Sequence, residues 1–147
     1  MPSSPDTSER LRELAQEAPI SRRGKWKRLG DRIYLCGTLG AEFDAWQRRL
    51  AAVSAADAYF SQKIGLDAVE EVMDDLEAQA RVTLEPGERM LPRWSPGYGD
   101  RPLAMSREIL ETLDATRLLG VSLTDSLLLV PSKSVTAVCD IVREVKP

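Results

Sequence analysis

The sequence predicts an α+β fold: a small, mainly antiparallel sheet with helices packed on it. Three observations carry this. Strand-like alternation occurs once early, at 31–39, and twice late, at 123–130 and 135–142, so the strands are split along the chain. Helical stripes of apolar residues occupy the interval between them. The alternating strands and helices of a doubly wound fold are missing, and no Gly-x-Gly-x-x-Gly follows a strand. A chain of 147 residues fits one domain, expected over 20–147, behind a flexible N-terminus at 1–19 that holds a short helix.

Taken in order, residues 1–8 are rich in Pro and Ser and predict a frayed start. Ser8 is placed to cap a helix running to Glu17, with Leu11 and Leu14 on one side and Pro19 ending it. Residues 21–28 hold Arg22, Arg23, Lys25, Lys27 and Arg28 around Trp26, which reads as a solvated connector or as a docking patch for a partner. Ile33, Leu35, Gly37 and Leu39 then alternate with Tyr34, Cys36 and Thr38, a strand apolar enough to be covered on both faces. Phe43, Trp46, Leu50 and Val53 recur at helical spacing and predict a helix over 41–53.

Ser54 is a suitable N-cap for a long helix to Arg81, whose inner face is Val69, Val72, Met73, Leu76 and Ala80. Gly65 weakens it and marks a place for a kink. Glu70, Glu71, Asp74, Asp75 and Glu77 cover the rest. A turn is expected at 85–88 and irregular or short extended chain at 90–100. Asp100 and Pro102 suit a helix start, Ile109, Leu110 and Leu113 its inner face, and Gly120 its end. Strands at 123–130 and 135–142, joined by a turn at 131–134, read as an antiparallel hairpin.

Composition narrows the chemistry. The chain is 43% hydrophobic and 29% charged, which suits a soluble globular protein with a core of useful size. A net charge of -3 gives no electrostatic case for nucleic acid or an anionic membrane surface. The start of the chain is not apolar, and the longest apolar run, Leu127 to Val130, is strand-sized, so a cytoplasmic address is expected. With no histidine, catalysis by His-ligated zinc, Ser-His-Asp or Cys-His groups is excluded. Cys36 and Cys139 are expected as buried free thiols, with no metal or redox role.

The informative run is Arg93-Trp94-Ser95-Pro96-Gly97-Tyr98-Gly99-Asp100. Pro96 fixes φ at the second position of a turn and Gly97 supplies positive φ at the third, a type II signature. Such a turn exposes amide N–H groups beside a planar cation and an aromatic ring. It reads as a ligand loop, or as a surface loop with Arg93 in water.

The string resembles the S-adenosylmethionine-binding motif of the cobalamin-dependent methionine synthase activation domain, in the form of its short stand-alone bacterial members. Gly120-Val121-Ser122-Leu123-Thr124-Asp125-Ser126, Pro131-Ser132-Lys133-Ser134-Val135-Thr136 and Thr38-Leu39-Gly40-Ala41-Glu42-Phe43-Asp44 resemble further strings of that family, in order, over residues 30–142. The resemblance implies an activation-domain-like fold and a reactivation function. Cob(II)alamin on a partner corrinoid module is rescued by a methyl group from S-adenosylmethionine and an electron from a flavodoxin-like donor. It assigns Arg93 to the ligand's carboxylate, a pairing that suits a guanidinium fork. Ser95, Gly97 and Tyr98 fall to the rest of the site, and Glu70 on the long helix to the ligand's ammonium. The larger activation domain has extra chain at both ends, and an aspartate and a tyrosine from those ends are not placed in this sequence.

On this reading the chain is an accessory module and not a complete enzyme: no residue acts as nucleophile or general base, and the protein supplies orientation and shielding. Two alternatives remain: a non-catalytic docking module for a corrinoid protein that does not use S-adenosylmethionine, and a methyltransferase acting on another corrinoid protein.

Overall fold

The computed structural model describes residues 4–144, with side chains from residue 7. The first helix, α1 (Ser4–Glu17), starts a turn earlier than the Ser8 cap, which lies inside it. The frayed start expected at 1–8 falls in part on residues 1–3, outside the described residues. Leu14 is fully buried. Arg10 grips Asp57 with two hydrogen bonds of 3.1 and 2.7 Å, tying this helix to the start of the long one.

The basic stretch after it is not a connector. It forms strand β1 (Arg23–Leu29), paired antiparallel with β2 (Arg32–Thr38) through a two-residue Gly30-Asp31 turn. An edge strand needs few apolar residues, and its charges discourage pairing with another chain. Several of those charges are also spent internally. Arg28 holds Glu88 at 2.7 and 2.6 Å, and Arg22 reaches Glu71 at 2.9 Å.

Two helices follow as the stripes predict, α2 (Ala41–Val53) and α3 (Ala55–Val82). Ser54 caps α3, accepting from the Asp57 N–H at 3.2 Å. Gly65 does not break the helix, and α3 is one uninterrupted element. The glycine has a packing reason instead: a Cβ there would come within 2.8 Å of the Phe43 ring. Phe43 is fully buried between α2 and α3, a burial that contributes roughly 1.5–3 kcal/mol.

Then come β3 (Glu88–Met90), α4 (Met105–Leu113), α5 (Ala115–Leu119), β4 (Ser122–Leu123), β5 (Leu129–Val130) and β6 (Ser134–Arg143). Asp114, in the left-handed region at φ 52°, separates α4 from α5, and Gly120 at φ 72° ends α5. Pro102 and Asp100 lie in the turn before α4, which starts at Met105 without a side-chain cap.

The main sheet has the order β1-β2-β6-β3 and is antiparallel throughout. The expected pairing of 123–130 with 135–142 is not made. Instead β4 and β5 form a separate two-stranded hairpin, because Thr124, Asp125 and Ser126 turn the chain. On one face of the sheet, Ile33, Leu35, Ala137, Cys139 and Ile141 share a core with α1, α2 and α3. On the other, Tyr34, Cys36 and Val138 pack under α4 and α5. The fold is therefore α+β, as the split strands imply. Cys36 and Cys139 lie on opposite faces as buried free thiols, and burial pushes each up to about 12. Among the described residues, no helix is long and apolar enough to cross a membrane.

Candidate functional site

Beyond β3 the chain keeps following β6, but with one residue to spare. Met90 pairs with Ile141, whereas Trp94 bridges Val138 through bonds of 2.9 and 2.8 Å. Pro92, which has no N–H to lose, and Arg93 together stand against Cys139. Arg93 and Trp94 then leave the strand toward opposite faces, as alternation requires. Trp94 packs on the α4 side, while Arg93 reaches the acidic side of α3.

The bend comes next. Gly97 has φ 95°, the value a type II turn needs at that position. Its N–H donates to the Arg101 carbonyl at 2.9 Å, and the Arg101 N–H to the Tyr98 carbonyl at 3.1 Å, so 97–101 is a closed loop. A Cβ at Gly97 would meet Leu103 at 3.0 Å. Space and backbone conformation both call for glycine here.

Beside the bend lies a hollow of about 360 Å³ on the α4 side of the sheet, within the range of small-molecule sites. Ser95, Pro96 and Tyr98 form one wall, Leu127, Leu128 and Leu129 of the β4–β5 hairpin another, and Ser134 and Thr136 of β6 the floor. Leu127, between β4 and β5, holds φ 66°, a costly conformation for a leucine.

The four stretches singled out in the sequence meet here. Ser95, Pro96 and Tyr98 of one stretch and Ser132, Ser134, Val135 and Thr136 of another line the hollow directly. Thr124 shapes the hairpin, accepting from the Leu128 N–H at 3.1 Å. From the fourth stretch, Thr38 shares a hydrogen bond of 2.8 Å with Ser134, and Asp44 accepts from the Ser132 N–H at 2.8 Å and hydroxyl at 2.9 Å.

Of the five residues expected at the site, Ser95 and Tyr98 line the hollow and Gly97 bends the loop between them. Tyr98 is 74% exposed. Arg93 and Glu70 are brought to each other, at 2.7 Å, and not to the hollow. Arg93 also donates to Asp74 and Glu77, both at 2.8 Å. Glu70, Asp74 and Glu77 stand at i, i+4 and i+7, one stripe of α3, which is the sequence signal for a shared cation. Burial pulls the Arg93 pKa down, but its three carboxylate partners outweigh this and raise it. Arg93 therefore keeps its charge and staples the strand before the bend to α3.

Sequence reading did not single out Arg101 or Trp94's role. The Arg101 guanidinium lies 4.4 Å from the Trp94 ring centroid. Trp94 in turn donates through Nε1 to Asp140 at 2.8 Å. No group of side chains suited to hold a metal ion occurs among the described residues.

No family model matches the chain, and no curated protein matches it in sequence. Among solved structures it is similar to a crystal structure of the MetH reactivation domain bound to AdoHcy, with a TM-score of 0.64 and 17% sequence identity. The match covers 97% of this chain and 65% of that chain, so this protein spans slightly less than two thirds of that domain. At this identity the likeness establishes the fold.

Proposed function

We propose that this protein binds S-adenosylmethionine at the hollow beside the 95–98 bend and acts as a reactivation module for a cobalamin-dependent methionine synthase. One observation carries the reading: of four stretches that resemble one family's strings, two line a single hollow of ligand size and the other two hydrogen-bond to residues that line it. The likeness of fold to the MetH reactivation domain supports it. The lining mixes hydroxyls with apolar side chains, which suits an adenosyl thioether or sulfonium better than a highly charged ligand.

In this account Ser95 and the exposed amides of the bend meet polar edges of the ligand, and Tyr98 covers it with a ring face suited to a sulfonium cation. Arg93 and Glu70 act as a positioning pair that fixes where the bend leaves the sheet. The methyl acceptor is cobalamin held by a partner corrinoid module, reduced by one electron from a flavodoxin-like donor. This chain supplies orientation and shielding from water, and none of its residues moves a proton.

Equilibrium dialysis with labelled S-adenosylmethionine tests the binding, and reductive methylation of a cob(II)alamin-loaded partner tests the role. Retention of ligand together with faster return of the methylated partner is expected. A second reading, a docking module that does not use S-adenosylmethionine, draws on a specific feature: Ser106 and Thr136 are hydrogen-bonded to each other at 3.0 Å, and Ser134 is taken by Thr38. Absence of retention at millimolar ligand would favour that module.

A further inference from the structure

We infer that the free edge of β1 is a docking site for an acidic extended segment of a partner protein, which adds to the sheet as a further strand. The inference goes beyond the hollow and does not depend on it. Strand β1 ends the order β1-β2-β6-β3, so one side of it has no neighbour in the sheet. Its hairpin with β2 closes over Gly30 and Asp31, which makes Leu29 and Arg32 a hydrogen-bonded pair. Counting back by alternation, Lys27, Lys25 and Arg23 turn their main-chain groups toward β2, while Arg28, Trp26 and Gly24 turn theirs outward. Among the described residues, nothing bonds to those outward N–H and C=O groups. The opposite edge, β3, is three residues long and is followed by the bulge at Pro92 and Arg93, so it offers no such row.

The side chains of this strand sort by face. Gly24 and Trp26 lie on the α3 face, where Leu76 crowds the glycine and Gln79 accepts from the indole N–H at 3.2 Å. Arg23, Lys25 and Lys27 lie on the other face, and Arg23 reaches the Leu118 carbonyl of α5. Unlike Arg22 and Arg28, none of these three has a carboxylate within ion-pairing distance among the described residues. Cations at alternate strand positions stand about 7 Å apart, and carboxylates match that spacing when every second residue of an extended segment is acidic. Such acids become cross-strand neighbours of Arg23, Lys25 and Lys27. The residues between them face the side of half-buried Trp26, which favours apolar side chains. A second copy of this chain does not fit, because pairing two β1 edges sets cation against cation. The same charges that keep two such edges apart admit a segment of opposite sign.

Fluorescence anisotropy at low salt, with a labelled peptide of alternating Glu and Val, tests this on the intact chain. Comparison probes are the same peptide with Lys for Glu, two versions N-methylated at the Glu or at the Val amides, and a single-stranded oligonucleotide of equal charge. The Glu peptide is expected to bind, to slow hydrogen exchange at Gly24, Trp26 and Arg28, and to weaken as salt is added. In an added strand only one alternate set of amides faces β1. One methylated peptide is therefore expected to lose binding about tenfold or more and the other to keep it. Lys25→Glu combined with Lys27→Glu is expected to weaken the Glu peptide about tenfold, since opposed pairs become like charges, and to leave retention of S-adenosylmethionine unchanged. If that variant fails to fold, the two methylated peptides on the wild type decide. Absence of binding, equal binding of the Lys peptide, equal affinity of the two methylated peptides, an undiminished affinity in the folded variant, or protection away from 23–29 would overturn the assignment. Tighter binding of the oligonucleotide would also overturn it and give the stripe to nucleic acid.

Discussion

On the α3 face of the sheet, a Cβ at Gly37 would come within 2.8 Å of Val72 and 2.9 Å of Met73, so not even a methyl group fits. On the α4 face, one end of the sheet is left open to a hollow of about 360 Å³. The contrast extends to charge. Arg93, reaching the α3 side, is saturated by three acids, whereas Arg101, stacked above Trp94, has no acid partner among the described residues. Around Gly37 the α3 face is closed by packing, and Arg93 by ion pairing, which gives stability, while the groove on that side lies between α1 and α3. The α4 face keeps unfilled volume and a leucine in a left-handed conformation, features that cost stability and that cluster where ligands bind.

If that division holds, substitutions on the two faces should separate stability from binding. The largest stability effect is expected at Phe43→Ala, which removes a fully buried ring from the α3 side and should cost about 3–5 kcal/mol in urea unfolding. Ligand affinity of the molecules that remain folded should be unchanged. Gly97→Val should do the reverse. Forcing a branched residue to positive φ costs about 1–2 kcal/mol of stability, but distorting the bend should lower affinity beyond tenfold by equilibrium dialysis.

A third separation uses pH. Hydrogen bonds from Arg28, then from the Glu85 N–H, hold the Glu88 carboxyl down at about 2, far from the hollow and at the ends of β1 and β3. Because the folded pKa lies below the unfolded one, this stabilisation is complete above the ordinary carboxylate range and is lost as pH falls through about 2. Glu88→Gln should flatten that part of the stability profile without altering ligand binding at neutral pH. The smallest stability effect is expected at Tyr98→Ala. With the ring 74% exposed, stability should stay within about 0.5 kcal/mol, while affinity falls several-fold.

Much of this architecture is legible in the sequence, for reasons that also explain what is not. The stripes of α2 and α3 can be read because each helix buries one face, and β2 and β6 because both faces of those strands are covered, so burial imposes a pattern. Strand β1 hides because it lies at an edge and carries charge, although Gly30-Asp31 before a strand is a hairpin signal. The run at 123–130 misleads because Leu127, Leu128 and Leu129 look like strand interior, yet they line a hollow beside a polar turn. At the site, the bend is written in Pro96 and Gly97. The pairing of Arg93 with Glu70, Asp74 and Glu77 joins residues 16–23 positions apart and depends on how the strand lies against α3. The stacking of Arg101 on Trp94 likewise needs the loop to close first.

The ligand's location is open to measurement by hydrogen exchange with and without S-adenosylmethionine. Exchange is expected to slow at 95–101, 127–129 and 132–136. Unchanged exchange there, or protection confined to the groove between α1 and α3 around Ile64 and Ala68, would contradict that location.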